Sequence, residues 1–122
     1  MALKLSPRQL QQLSYLETLP PKFSLIGRVI EQMAHLQADE TSVRSMCRQL
    51  DEIKAGAGQL GLGAVAEAAG HMVTLARRSG GVQMRVRGMR ELLGSMKNNY
   101  EGAYRAATTP HPPSDAGEAP SA

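Results

Sequence analysis

The sequence predicts an all-α fold, an antiparallel up-and-down four-helix bundle with a short additional helix at its N-terminus. Three observations carry this expectation. Aromatics are scarce, with one Phe, three Tyr and no Trp. The core must then be built from Leu, Ile, Val, Met and Ala, which suits helices packed on helices better than sheets. Apolar residues recur at helical spacing through most of the chain. The gaps between periodic stretches are short, and short connections turn neighbouring helices back on one another. The 122 residues are enough for one domain and not comfortably for two.

Ser6-Pro7 opens the first helix, with Ser6 as N-cap and Pro7 at the first helical position. It runs to about Thr18 on a thin stripe of Leu10, Leu13 and Leu16, and Pro20-Pro21 are expected to stop it. The second helix runs from about Pro21 to Gln37. Leu25, Ile26, Val29, Ile30, Met33 and Leu36 share one face, with Arg28, Glu31, Gln32 and His35 opposite. After a short connection, with Asp39 or Thr41 as cap, the third helix runs from about Thr41 to Leu60. Its inner face is Val43, Met46, Cys47, Leu50, Ile53, Ala57 and Leu60. The fourth runs from about Gly63 to Ser79, with Val65, Ala69, Met72, Val73 and Ala76 inward, and Gly80-Gly81 ending it as a C-cap. The last runs from about Val82 to Ala107, where Val82, Val86, Met89, Leu92, Leu93, Met96, Tyr100 and Tyr104 keep the period. Residues 108–122 hold four prolines and no apolar pattern, and are expected to be a disordered tail.

Several classes are set aside. No run approaches the roughly 20 apolar residues of a membrane span, and the N-terminus lacks a signal-type apolar stretch. The single Cys47 cannot form an internal disulfide. A cytoplasmic protein is expected. The formal charge is +3, and the tail holds Asp115 and Glu118 with no base, so the body carries two more positive charges than the whole. This excess favours an acidic partner. No nucleophile elbow, P-loop lysine or facing carboxylate pair is present, so no enzyme, catalytic residue or cofactor is expected. His35, His71, His111 and Cys47 have no ligand spacing, so no metal is expected, and the histidines read as exposed surface residues.

One segment breaks the helical rules. From Asp51 to Gly63 the chain places Gly56, Gly58, Gly61 and Gly63 within a stretch that otherwise keeps its apolar period. Each interior glycine costs about 1 kcal/mol relative to alanine. Either a neighbouring helix approaches closely, or small residues leave a strip bare for a partner. Asp51, Lys54, Ala55 and Gly58 fall at i, i+3, i+4 and i+7 and so share one outward strip, which Arg44 and Arg48 extend and Gln59 and Leu62 border.

This segment resembles the signature of histidine phosphotransfer (HPt) domains, His-x-Leu-Lys-Gly-x-Ala-x-x-Leu/Ile-Gly on the second bundle helix. Ile53, Lys54, Ala57, Leu60 and Gly61 occupy matching positions. The resemblance implies an HPt-like bundle over residues 1–107 in a bacterial two-component phosphorelay. The reactive histidine position holds Asp51, and the glycine after Lys54 is Ala55, with Gly56 next to it. A histidine accepts a phosphoryl group because its imidazole nitrogen is nucleophilic near neutral pH. An aspartate does so only beside a divalent ion held by an acidic cluster. Asp51 is therefore a degenerate phosphotransfer position, here with Lys54 as its expected ion-pair partner. The expected function is a non-catalytic signalling adaptor or inhibitor that docks a response-regulator receiver domain or a sensor kinase. The docking surface would comprise Arg44, Arg48, Lys54, Ala55, Gly56, Gly58, Gln59, Gly61 and Leu62.

Three alternatives are open. The chain could be a substituted form of a genuine phosphotransfer protein. It could be a basic helical nucleic-acid-binding protein, through Arg77, Arg78, Arg85, Arg87 and Arg90 around the Gly80-Gly81 turn. It could be a homodimer through Met84, Met89 and Met96, although Met89 and Met96 fall in the core stripe.

Overall fold

Ser6 and Gln9 start the first helix by satisfying each other's backbone donors. In the computed structural model, which describes residues 4–78 and 80–110, the Ser6 hydroxyl accepts from the Gln9 amide at 3.0 Å. The Gln9 side-chain oxygen accepts from the Ser6 amide at 2.8 Å, completing a capping box. This helix, α1 (Pro7–Leu16), ends before the prolines rather than at them. Pro20 and Pro21 lie in the first turn of α2 (Leu19–Ala34), where the missing N–H of a proline has no intrahelical partner to lose. The second helix thus begins earlier than the sequence suggested. It also stops earlier, because Leu36 turns into the left-handed region at φ 57°. Leu36 is 75% exposed, so it leaves the apolar stripe to which its spacing assigned it.

Asp39, rather than Thr41, caps α3 (Glu40–Gln59), its carboxylate accepting the Ser42 amide at 2.7 Å. That bond, with a further one from the Ser42 side chain, holds the Asp39 carboxyl below its usual range. A depressed carboxylate contributes stability above the ordinary carboxylate pKa, about 3.9, and loses it as pH falls through the lower folded value. Glu31, held down by the Arg90 guanidinium, adds to the same acid limb. An acid titration followed by circular dichroism is therefore expected to show helix loss beginning below about pH 4. Asp39→Asn keeps the cap without the charge change, so it should flatten that limb.

The exit of α3 is a Schellman turn. Gly61, at φ 75°, donates to the Gly58 carbonyl, and Leu62 donates to the Ala57 carbonyl at 2.8 Å. The chain enters α4 (Gly63–Arg77) directly. Arg78 caps its end, before the glycines, and Ser79 lies outside the described residues. Gly81 is instead the N-cap of α5 (Val82–Thr108). The expected tail falls outside the described residues from 111 onward, and His111 with it.

The five helices take 83% of the described residues and no strand occurs among them, so the fold is all-α. Helices α2, α3, α4 and α5 pack each on the next in a closed ring, and α1 adds to α5 and α2. Contacts between α2 and α5 run in opposite chain senses, from Phe23 with Tyr100 to Ala34 with Gln83. Those between α4 and α5 do the same, from Ala64 with Asn99 to Leu75 with Gly88. Ile26, Ile30, Met46, Leu50, Ile53, Met72, Met89 and Met96 are sealed in the interior at 0–1% exposure. The expected inner faces of α4 and most of α3 and α5 are these buried residues, with Val43, Leu60, Val82, Leu92, Tyr100 and Tyr104 half-buried at the margins. Met84 points outward at 78% exposure. In α1 the spacing misassigns Leu10, which is exposed. The buried residues are Leu16 and the polar Gln9, whose amide donates to the Ala106 and Thr109 carbonyls at the end of α5. No helix among the described residues is long and apolar enough to cross a membrane.

Candidate functional site

The glycine-rich segment divides into an inner and an outer half. Gly56 belongs to the inner half. A β-carbon there would lie 2.7–2.9 Å from the Tyr15 ring, and the Tyr15 hydroxyl donates to the Ile53 carbonyl at 3.2 Å. Gln12 donates to the Leu60 carbonyl at 2.8 Å, and the Arg8 guanidinium covers Gly61. So α1 lies against the end of α3, and Gly56 and Gly61 serve that packing and the Schellman turn. Their outer sides are covered by Tyr15 and Arg8 of α1, although the expected docking surface included both glycines. Leu62, at 8% exposure, is interior as well, because the Schellman turn folds it back beside the buried Ala57.

Gly58 belongs to the outer half. No atom lies within 4 Å of the position its β-carbon would take. Arg44, Arg48, Asp51, Lys54, Ala55 and Gln59 are all exposed with it on α3. A difference in sign follows. Gly58→Ala should stabilise the protein by about 1 kcal/mol, the propensity gain alone. Gly56→Ala makes the same gain. It also forces Tyr15 off its hydrogen bond and overpacks the contact, for a net loss of about 1–3 kcal/mol. Urea unfolding of the two variants measures the contrast.

Asp51 does not pair with Lys54. Its carboxylate accepts from the Arg77 guanidinium at 3.2 Å, across the groove between α3 and α4. Lys54 lays its stem over Gly70 of α4, with its Cδ and Cε 3.4–3.5 Å from where a β-carbon would stand. These contacts follow from the Schellman turn, which folds α4 back along α3 and sets residues on either side of Gly61 opposite each other. Arg44 pairs with Glu40 one turn earlier at 3.5 Å. Both pairs are about half or more exposed, so both exchange readily with solvent or a partner. Below them Cys47 is buried. Burial pushes its thiol pKa up, and the nearby Arg77 partly offsets this. The strip therefore carries Arg44, Arg48, Lys54 and Arg77 against Glu40 and Asp51, a net positive face. Arg77 and Gly70 are the members that sequence reasoning missed. Their signal was present only in the register of the α3–α4 turn.

The other candidates separate cleanly. His35 and His71 are exposed, as expected, and the His35 ring meets the Glu31 carbonyl at 2.8 Å. Of the arginines near Gly80 and Gly81, three are engaged within the fold, while Arg78 and Arg87 are exposed. Arg77 is bonded to Asp51, Arg90 makes a two-pronged pair with Glu31 at 2.7 and 2.9 Å, and Arg85 donates to the Ala76 carbonyl at 3.1 Å. Met89 and Met96 are wholly buried, which leaves Met84 alone of the proposed methionine face. Comparison with protein-family models, with curated proteins and with solved structures yields no match.

Proposed function

We propose that this chain is an HPt-like docking protein, an antiparallel up-and-down four-helix bundle with α1 added. It binds a response-regulator receiver domain, or a related two-component protein of the bacterial cytoplasm, without passing phosphate. The observation that carries this reading is the state of residue 51. It stands on an exposed helix face in HPt-like register with Lys54, yet it is an aspartate already held by Arg77. A phosphoryl acceptor must offer a nucleophilic lone pair to the incoming phosphorus. The Asp51 carboxylate is a weak nucleophile, and its partner is an arginine. The same pair neutralises the charge that would otherwise repel an acidic receiver pocket. Arg44, Arg48 and Lys54 then leave the strip attractive to acidic surfaces, which favours rapid and selective encounter. Gly58 and Ala55 keep the middle of the strip low, so a partner can approach the backbone of α3. The protein would act as an adaptor or as a competitor for the receiver face.

Incubation with a receiver domain carrying labelled aspartyl phosphate tests the chemistry. The expected result is a complex in which all label stays on the receiver or leaves as inorganic phosphate. A stable label on this chain would overturn the non-transferring reading.

A further inference from the structure

A second surface lies at the end of the bundle where the α2–α3 and α4–α5 connections meet. Two hollows open there. One, of about 220 Å³, is lined by Met33, Leu36, Ala38, Val43, Val82 and Arg85. The other, of about 260 Å³, lies between Arg44 and Arg77 over Val43, Cys47 and Ala76. Val43 is the ridge between them, and Arg85 bridges the two by donating to the Ala76 carbonyl at 3.1 Å. The hollows are neighbours on either side of Val43 and together make a groove with a largely apolar floor.

Three features mark this groove. Leu36 closes α2 in the left-handed region, its amide donating to the Met33 carbonyl and the Gln37 amide to the Gln32 carbonyl at 2.7 Å, and this turn sets its side chain 75% exposed at the rim. Among the described residues the Arg85 Nε is buried and finds no acceptor. The charged groups lining the groove are Arg44, Arg77 and Arg85 against Glu40, a net positive rim. Each hollow is smaller than the roughly 300–1,000 Å³ of an ordinary small-molecule site. Each is the size of one or two aliphatic side chains, as in anchor pockets at protein interfaces.

We propose that this groove binds an acidic segment of a partner protein, seating two aliphatic side chains on either side of Val43 with carboxylates on Arg85 and the flanking arginines. The proposal does not rest on the receiver reading of the α3 strip. A glutamate-rich helical peptide with two leucines one turn apart serves as the probe, titrated into the isotope-labelled full chain and followed by amide chemical shifts. The expected shifts fall at residues 33–47 and 76–86. Replacing the leucines by serine, or the glutamates by lysine, should weaken binding about tenfold or more. Leu36→Gly, which relieves the left-handed strain, and Arg85→Met, which keeps the stem, should each weaken it as well, with thermal unfolding confirming the fold. Equal binding of the lysine peptide overturns the proposal. So do shifts confined to other faces, or a DNA duplex that shifts the same amides while the glutamate peptide does not.

Discussion

Truncating Leu50 to alanine is expected to lower the unfolding free energy by about 3–5 kcal/mol. Leu50 is 0% exposed and stands one residue before Asp51, about 100° around α3 from it and facing the core. It packs into the same core as Met46, Ile53, Met72 and Met89, each also sealed from solvent. The truncation loses the transfer free energy of the removed carbons, and it leaves a cavity that a ring of packed helices can collapse only in part. Against a total stability of about 5–15 kcal/mol, the loss is a large fraction. Leu10→Ala is the control. Leu10 is 53% exposed, so its truncation should change stability by no more than about 0.5 kcal/mol. Urea denaturation reads both, as a shift of midpoint at constant slope for Leu50→Ala and none for Leu10→Ala. Equal effects of the two would mean that α1 packs its leucine stripe inward and that the polar Gln9 is not the buried anchor.

The contrast between Leu50 and Leu10 shows where the sequence is legible. A long helix with a sustained period has only one face that can be buried, so the inner residues of α3 and α4 follow from spacing alone. In a short helix the period is weak, and a single polar side chain can reverse it. Gln9 is buried because two carbonyls at the end of α5, nearly a hundred residues away, need its amide. The prolines at 20 and 21 mark a boundary, but the same residues that disfavour a helix end are well suited to its first turn. Spacing could read Leu36 only as helical, since its departure depends on how the chain turns into α3.

Within the candidate strip the legible part is the exposed face of α3, and the hidden part is everything that another helix brings to it. Interior glycines announced a close approach or a bare surface, and the segment contains both. Gly56 receives Tyr15 from α1, while Gly58 receives nothing. Local sequence does not separate these cases, because the distinction lies in the position of a helix forty residues earlier. Asp51 likewise has a cation three residues on, within helical reach, yet it binds Arg77 from the opposite helix. Lys54 instead spreads its apolar stem over Gly70, which offers contact area that a point ion pair on an exposed surface does not.

If the α3 strip docks a receiver domain as proposed, tryptophan at position 58 is expected to weaken that binding at least about tenfold while leaving the bundle intact. The β-carbon at Gly58 meets no atom within 4 Å, so an indole can stand outward without displacing a neighbour. The substitution should even stabilise α3 by a few tenths of a kcal/mol, since glycine is the poorest helix former here apart from proline. On the proposed docking face the same indole rises from the bare part of the strip, one turn from Lys54 and Ala55. A partner that must reach the backbone of α3 would lose that approach and the contacts around it, a penalty of at least about 1.4 kcal/mol, or tenfold in Kd. Calorimetric titration of the full chain with a receiver domain, paired with thermal unfolding, separates the two effects. Undiminished affinity in a stably folded Gly58→Trp protein would remove the α3 strip from the interface. It would leave the groove beside Val43, which Arg77 also lines, as the proposed partner surface of this bundle.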